Sequence, residues 1–218
     1  MRYTNRMTSK RRIAKDPWWH VFGLCSGLSF ALMLMFARLD PDDFDRVDTA
    51  FEIFVRPLQT FGHSEPFLVL TVLGSGIGIT VLALGLAYFL RRNWQAVLQL
   101  VLVLAFSSLS MGIAKNFVER TRPHTLDWLV SLQSYSFPSG HATLSSAFYG
   151  FVAVALYRRS STARGRFFSV FMPMLIVFLV CMSRIVLGYH YFTDVLAGVS
   201  LGLFWLAVVL MLPMPRAD

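Results

Sequence analysis

Apolar and polar positions follow one another along this chain in long blocks. Apolar stretches run over about 18–37, 66–90, 96–117, 141–157, 167–187 and 190–212, each closed by a short polar cluster. Several reach about 18 residues or more, enough to cross a hydrocarbon core of roughly 30 Å as a helix. One segment breaks the pattern. Between 44 and 61, Phe44, Val47, Phe51, Phe54, Val55 and Leu58 recur at spacings of three and four. That is the period of an amphipathic helix, expected on the outer membrane surface with its apolar face against lipid or the bundle. The expected fold is all-α: a polytopic membrane protein with six transmembrane helices plus that outer-surface helix. Residues 17–212 form one domain, between a basic tail at 1–16 and a short tail at 213–218. No internal repeat, low-complexity stretch or separate soluble domain is visible.

Composition agrees. Hydrophobic residues make up 56% of the chain and charged residues 15%, too few charges to clothe a water-soluble core of this apolarity. The net charge of +8 does not point to nucleic acid, because the cations sit at the ends of apolar runs and form no stripe. They follow the cytoplasmic bias of Lys and Arg. Arg2 to Lys15, Arg91-Arg92 and Arg158 to Arg166 are placed inside, and the acid-rich 40–52 outside. Both termini are then inside. The basic start followed by an apolar run resembles a signal peptide. No small-x-small site follows it directly, so an uncleaved first helix is expected, with Trp18 and Trp19 as interface anchors. Cys25 and Cys181 lie within apolar runs and read as small buried residues, not a disulfide or metal pair. Gly74, Ser75, Gly76, Gly78 and Gly85 suggest close helix contact.

This topology carries three polar clusters to the outer face. Lys115 ends the third span and Arg122 lies just beyond it. Ser139-Gly140-His141 opens the fourth. Arg184 lies near the end of the fifth, His190 opens the sixth and Asp194 sits one turn further in. The fourth and sixth helices both aim their N-termini outward, and free N–H groups with a partial positive charge favour an anion there. Ser139 suits an N-cap or a hydroxyl donor to an oxyanion. Gly140 allows close backbone approach. Lys115, Arg122 and Arg184 supply three cations. His190 and Asp194, four apart, share a helix face. The carboxylate can take the Nδ1 proton and leave Nε2 as nucleophile. His141 could face it across the pocket, one histidine attacking phosphorus and the other protonating the leaving oxygen. The expected chemistry is phosphoryl transfer with no metal or other cofactor, since no further His or carboxylate ligands cluster here.

Taken singly, each feature has an ordinary explanation. A histidine at a helix start is usually a polar cap, a cation at a span end usually snorkels, and Pro-Ser-Gly is usually a turn. Asp194 in an apolar helix is less ordinary, because intramembrane acids are costly and often functional. Their joint arrival on one face favours a site.

The pattern Lys115-x6-Arg122-Pro123, Pro138-Ser139-Gly140-His141 and Ser183-Arg184-x5-His190-x3-Asp194 resembles the type 2 phosphatidic acid phosphatase superfamily, with every position filled. The resemblance implies a metal-independent lipid phosphatase. It implies His190 as the nucleophile that forms a phosphohistidine, Asp194 orienting it and His141 protonating the leaving group. Lys115, Arg122, Ser139, Gly140 and Arg184 would hold the phosphate. A helix N-terminus disfavours a protonated His141, so a bound phosphate dianion is expected to set its charge. Small six-helix bacterial members resemble undecaprenyl diphosphate, phosphatidylglycerophosphate and lipid A phosphatases. Undecaprenyl diphosphate is the first expectation, with phosphatidylglycerol phosphate or phosphatidate behind it. The expected partners are the lipid substrate and the bilayer, with no nucleic acid and no obligatory protein partner. The expected location is a bacterial inner membrane, with the site facing the periplasm or exterior. Vanadium-dependent haloperoxidases share the motifs but are larger and soluble. A non-catalytic lipid-binding or transport role is disfavoured by the intact His141, His190 and Asp194.

Overall fold

The computed structural model describes residues 17–60, 64–123 and 134–214. The expected basic tail 1–16, the last residues 215–218 and the middle of the outer loop, 124–133, lie outside them. The described residues form eight helices: α1 Pro17–Leu39, α2 Pro41–Thr60, α3 Ser64–Val72, α4 Gly76–Phe89, α5 Trp94–Val118, α6 Gly140–Arg159, α7 Ala163–Val186 and α8 Phe192–Met211. The all-α expectation holds.

The count of six spans is not reproduced by length and apolarity. Four helices, α1, α5, α7 and α8, are long and apolar enough to cross a membrane, and the pair α3–α4, bent by 46°, brings the number to five. The bend has a local cause. Leu73, Gly74 and Ser75 donate to carbonyls three residues back, and the Ser75 hydroxyl then caps α4 by accepting from Gly78 N at 2.9 Å. A Cβ on Gly74 would lie 2.3 Å from Val180 Cγ1 and 2.6 Å from Ser145 Oγ, so the bend needs glycine to press against α6 and α7. Gly76 and Gly85 have open space around them and make no such contact. Of the two helices left outside this count, α2 and α6, the latter carries His141, Thr143, Ser145 and Ser146 and ends in Arg158-Arg159.

That polarity is tolerated because α6 is the centre of the bundle, packed on α5, α7 and α8. Its Ala142, Thr143, Ser145, Ser146, Ala147 and Phe151 are all buried. Small residues let α8 come close. A Cβ on Gly202 would lie 2.1 Å from Ser146 Oγ, and one on Gly198 would lie 2.6 Å from the Ser139 carbonyl. Contact of this kind between backbones replaces the hydrophobic drive that lipid does not provide. Around the core, Leu28, Leu32, Val81, Leu84, Phe171 and Phe178 stay exposed, an apolar belt suited to acyl chains. Cys25 on α1 is exposed, not buried as expected, whereas Cys181 is buried. Neither is bonded.

The amphipathic helix exists as α2, and part of its apolar face lies against protein, while Val47, Phe54 and Leu58 stay exposed. Phe44 and Val55 are buried, and the Phe51 ring stacks on Phe192 at 4.0 Å. Asp48 is buried on that same face.

Candidate active site

The C-terminal ends of α5 and α7 and the starts of α6 and α8 meet at one end of the bundle. Two left-handed residues shape that end. Glu119, at φ 55°, terminates α5 and turns the chain so that Arg120 and Arg122 run back over the bundle. The Arg120 carbonyl accepts from Ser136 N at 2.8 Å, pairing this strip with the segment that leads into α6. Gly188, at φ 69°, ends α7. Its N–H reaches the Ile185 carbonyl at 2.9 Å, and Tyr189 N reaches the Arg184 carbonyl at 3.0 Å. This is a Schellman motif, whose left-handed position favours glycine.

The motif places His190 in a tight connection ahead of α8. The expectation that His190 opens the sixth helix and shares a helical face with Asp194 is therefore corrected, because the helix begins at Phe192. Asp194 instead bonds back to the chain that holds His190. Its Oδ2 accepts from Tyr191 N at 3.0 Å and from Ser136 Oγ at 2.5 Å. Its Oδ1 accepts from Arg120 Nη1 at 2.9 Å. The His190 Nδ1 lies 3.7 Å from Asp194 Oδ2, too long for a hydrogen bond. Ser136 Oγ stands between them, 3.4 Å from Nδ1.

The other ring nitrogen, Nε2, faces Arg122 Nη1 at 3.3 Å. Arg122 is fixed by the Tyr189 carbonyl at 2.9 Å and by the carbonyl and hydroxyl of Ser134 at 3.0 and 3.1 Å. Arg184 is buried. Its Nη1 donates to Thr71 Oγ1 at 2.7 Å and its guanidinium lies 4.3 Å from the Tyr189 ring centre. Lys115 donates to the Tyr135 carbonyl. His141 is close enough to Arg184, His190, Arg122 and Lys115 to feel their charge. Gly140 faces only Met111, 3.1 Å from where a Cβ would stand. The sequence-predicted residues thus converge on one end of the bundle.

Two buried polar atoms at this end have no partner among the described residues: Ser139 Oγ and Arg184 Nε. Ser139 occupies the N-cap position of α6, but its side chain makes no cap bond. The start of α8 differs from what the sequence suggests. Its first N–H groups are occupied, Tyr191 N by Asp194 and Thr193 N by Asp48 Oδ1 at 2.9 Å. Of the two helix starts expected to bind an anion, α8 has two N–H groups bonded by carboxylates, whereas the cap side chain of α6 bonds none.

Electrostatics favours an anion at this place. Lys115, Arg122 and Arg184 surround the histidines. The negative charge of Asp194 is already taken up by Arg120, so the cations are left in excess. Burial works against the charge on Arg120, yet Asp194, Asp48 and Asp45 together raise its pKa above the ordinary guanidinium value. Burial pushes the His190 imidazole down to about 4, against the pull of Asp194. A neutral imidazole keeps a lone pair for attack.

Sequence reasoning missed Arg120, Asp48, Ser136 and Thr193. One signal was present. Asp48 lies four residues after Phe44 and three before Phe51, which puts an acid on the apolar face of an amphipathic helix.

Comparison with known proteins follows the same lines. Over 126 residues the chain is 35% identical to phosphatidylglycerophosphatase B of Bacillus subtilis, a match covering 57% of this chain and 61% of that one. It is 29% identical over 151 residues to a probable lipid phosphate phosphatase 4 of Arabidopsis thaliana, covering 54% and 48%. The match thus takes in less than two thirds of either relative's length. Among solved structures, the transmembrane PAP2-type phosphatidylglycerolphosphate phosphatase of Bacillus subtilis superposes with a TM-score of 0.75 at 26% identity, over 86% of this chain and 94% of that one. Aquifex aeolicus LpxE shares the fold, with a TM-score of 0.56 at 22% identity over 72% and 92%. The sequence profile of the PAP2 superfamily matches residues 96–217, more than half of the chain and all three motifs, and the chain belongs to that superfamily.

Proposed function

We propose that this protein hydrolyses a lipid phosphate monoester at the membrane surface through a phosphohistidine on His190. The observation that carries the reading is the geometry at His190. A buried imidazole presents Nε2 beside the Arg122 guanidinium, in a pocket where cations outnumber free carboxylates. Nε2 attacks phosphorus, the bond from phosphorus to the lipid oxygen breaks, and His141 gives that oxygen its proton. Water then attacks phosphorus, His141 takes a proton from it, and the bond to His190 breaks, releasing orthophosphate. Arg122, Arg184 and Lys115 stabilise charge on the phosphoryl oxygens. Ser139 Oγ and Arg184 Nε, buried and unpartnered, supply donors to the same oxygens, as do the N–H groups at the start of α6.

The relatives favour a different order of substrates from the one expected first. A curated relative and a solved structure, both from Bacillus subtilis, are named as phosphatases of phosphatidylglycerophosphate, so we take a phosphatidylglycerophosphate-type monoester as the first substrate and undecaprenyl diphosphate as the second. Six crossings remain the best account of the chain, with α6 as the sixth, shielded from lipid by its neighbours. Arg91-Arg92 and Arg158 to Arg166 lie at the end of the bundle opposite the site, which supports a cytoplasmic location for that end and an outward site.

The test is phosphate release by purified protein with EDTA present, from phosphatidylglycerophosphate, phosphatidate, undecaprenyl diphosphate and lipid A. The expected result is metal-independent release led by phosphatidylglycerophosphate. Release led by undecaprenyl diphosphate restores the first expectation, and no release from any of them overturns the reading.

A further inference from the structure

The proposed reaction makes no use of α2, yet α2 sends an acid into the site. Asp48 is 4% exposed. It accepts from Thr193 N at 2.9 Å and Thr193 Oγ at 2.6 Å, and from Arg120 Nη2 at 2.7 Å. Arg120 spans the gap. Its Nη1 donates to Thr193 Oγ1 and to Asp194 Oδ1, both at 2.9 Å, and its Nη2 also reaches Asp45 at 2.6 Å. Its guanidinium packs against the Tyr191 ring at 4.1 Å and the Phe44 ring at 4.9 Å. Every donor in this cluster points at a carboxylate or at the first turn of α8.

Simple anchoring of α2 does not require such a cluster. Replacing a buried ion pair by apolar side chains of similar volume is often neutral or stabilising, and Phe44, Phe51 and Val55 already anchor the helix. What the planar guanidinium adds is direction. It fixes one oxygen of Asp194 and leaves the other for Ser136, the hydroxyl next to His190 Nδ1.

We propose that Asp48 and Arg120 are positioning residues, through which α2 sets the orientation of the Asp194 carboxylate and hence of the His190 ring. The proposal rests on the reading of His190 as nucleophile. Asp48→Asn keeps the shape and removes the charge, and is expected to lower kcat about 10- to 100-fold, the scale of a small misplacement of reacting groups. KM should stay within about threefold, because neither residue touches the phosphate. Asp48→Leu, which packs but does not direct, should be at least as impaired, and Asp48→Glu should recover part of the rate.

The experiment measures kcat and KM on phosphatidylglycerophosphate in micelles, with the active fraction counted from an alkaline-quenched phosphoenzyme burst. Arg120→Gln is made alone and in an Asp194→Asn background. It should cost little further there, since it acts through Asp194. A purely structural role would lower the active fraction and let Asp48→Leu work. Normal kcat in Asp48→Asn or Asp48→Leu, a rate loss matched by the active fraction, or full additivity with Asp194→Asn overturns the proposal. If Arg120→Gln yields no monodisperse protein, the three Asp48 variants decide. Wild-type protein that turns over none of the lipids removes the reading of the site as well. Wild-type turnover with an unaffected Asp48→Asn removes the positioning role alone.

Discussion

The starts of α6 and α8 stand side by side and are built in opposite ways. At α8 the first N–H groups go to Asp194 and Asp48. At α6 the cap residue Ser139 is buried, and its hydroxyl bonds nothing. Ser139 N meets the Asp194 carbonyl at 3.0 Å, so the two starts are also joined. Leaving a buried hydroxyl unsatisfied costs about 1–3 kcal/mol. Two neighbouring helix starts in one protein therefore do different work. In the proposed reaction, the satisfied one holds the nucleophile still and the unsatisfied one receives the anion.

The largest effect that tests this contrast is removal of the held group. His190→Ala should lower kcat by about 10⁴-fold or more and abolish the phosphoenzyme. Turnover near the wild-type rate would mean that the α8 start holds nothing of importance to the reaction.

At the other start, Ser139→Ala should lower kcat/KM by about 10- to 100-fold as one oxyanion donor is lost. Its thermal stability should be unchanged or higher, unlike an ordinary N-cap deletion, which costs about 1 kcal/mol. A fall in Tm with unchanged activity would make Ser139 a conventional cap.

The pH response sharpens the picture of the held side. With its pKa lowered to about 4, His190 stays neutral as pH falls from 7 to 5. An ordinary imidazole of pKa about 6.5 would be almost wholly charged by then. Histidine-selective NMR on the purified protein should show His190 charging only near pH 4, and charging near 6.5 would contradict its burial.

Smaller effects test the contact between the two starts. Gly198→Ala forces a methyl to within 2.6 Å of the Ser139 carbonyl and should cost about 1–3 kcal/mol of stability, with a several-fold loss of kcat. Gly85→Ala, in open space on α4, should change stability by less than about 0.5 kcal/mol. If the two glycine variants behave alike in thermal unfolding, close approach of α6 and α8 is not what holds the site together.

Much of this arrangement can be read from the chain without its fold. Apolar block lengths decide that it is helical and membrane-embedded, because lipid leaves a backbone few other ways to satisfy its polar groups. The charge bias decides which ends of the helices share a face. Three polar clusters at fixed spacings decide the type of chemistry, because phosphate needs cations, N–H groups and a nucleophile whatever the fold.

Tertiary structure decided the rest. The polar residues of α6 are covered by other helices, and burial among neighbours is not a local property. The pairing of Asp48 with Thr193, 145 residues on, and of Arg120 with Asp194, 74 residues on, leaves no periodic trace in either segment. The His190–Asp194 pair looked like one helical turn, but Gly188 stops α7 and α8 starts only after His190. What lies between ring and carboxylate, the Ser136 hydroxyl, comes from a separate segment. The sequence by itself determined which groups are present and which membrane face they share. Only the folded chain decided which carboxylate is neutralised, which helix start stays open and which nitrogen of His190 meets the cations. Those outcomes depend on distances of a few ångströms between segments far apart in sequence.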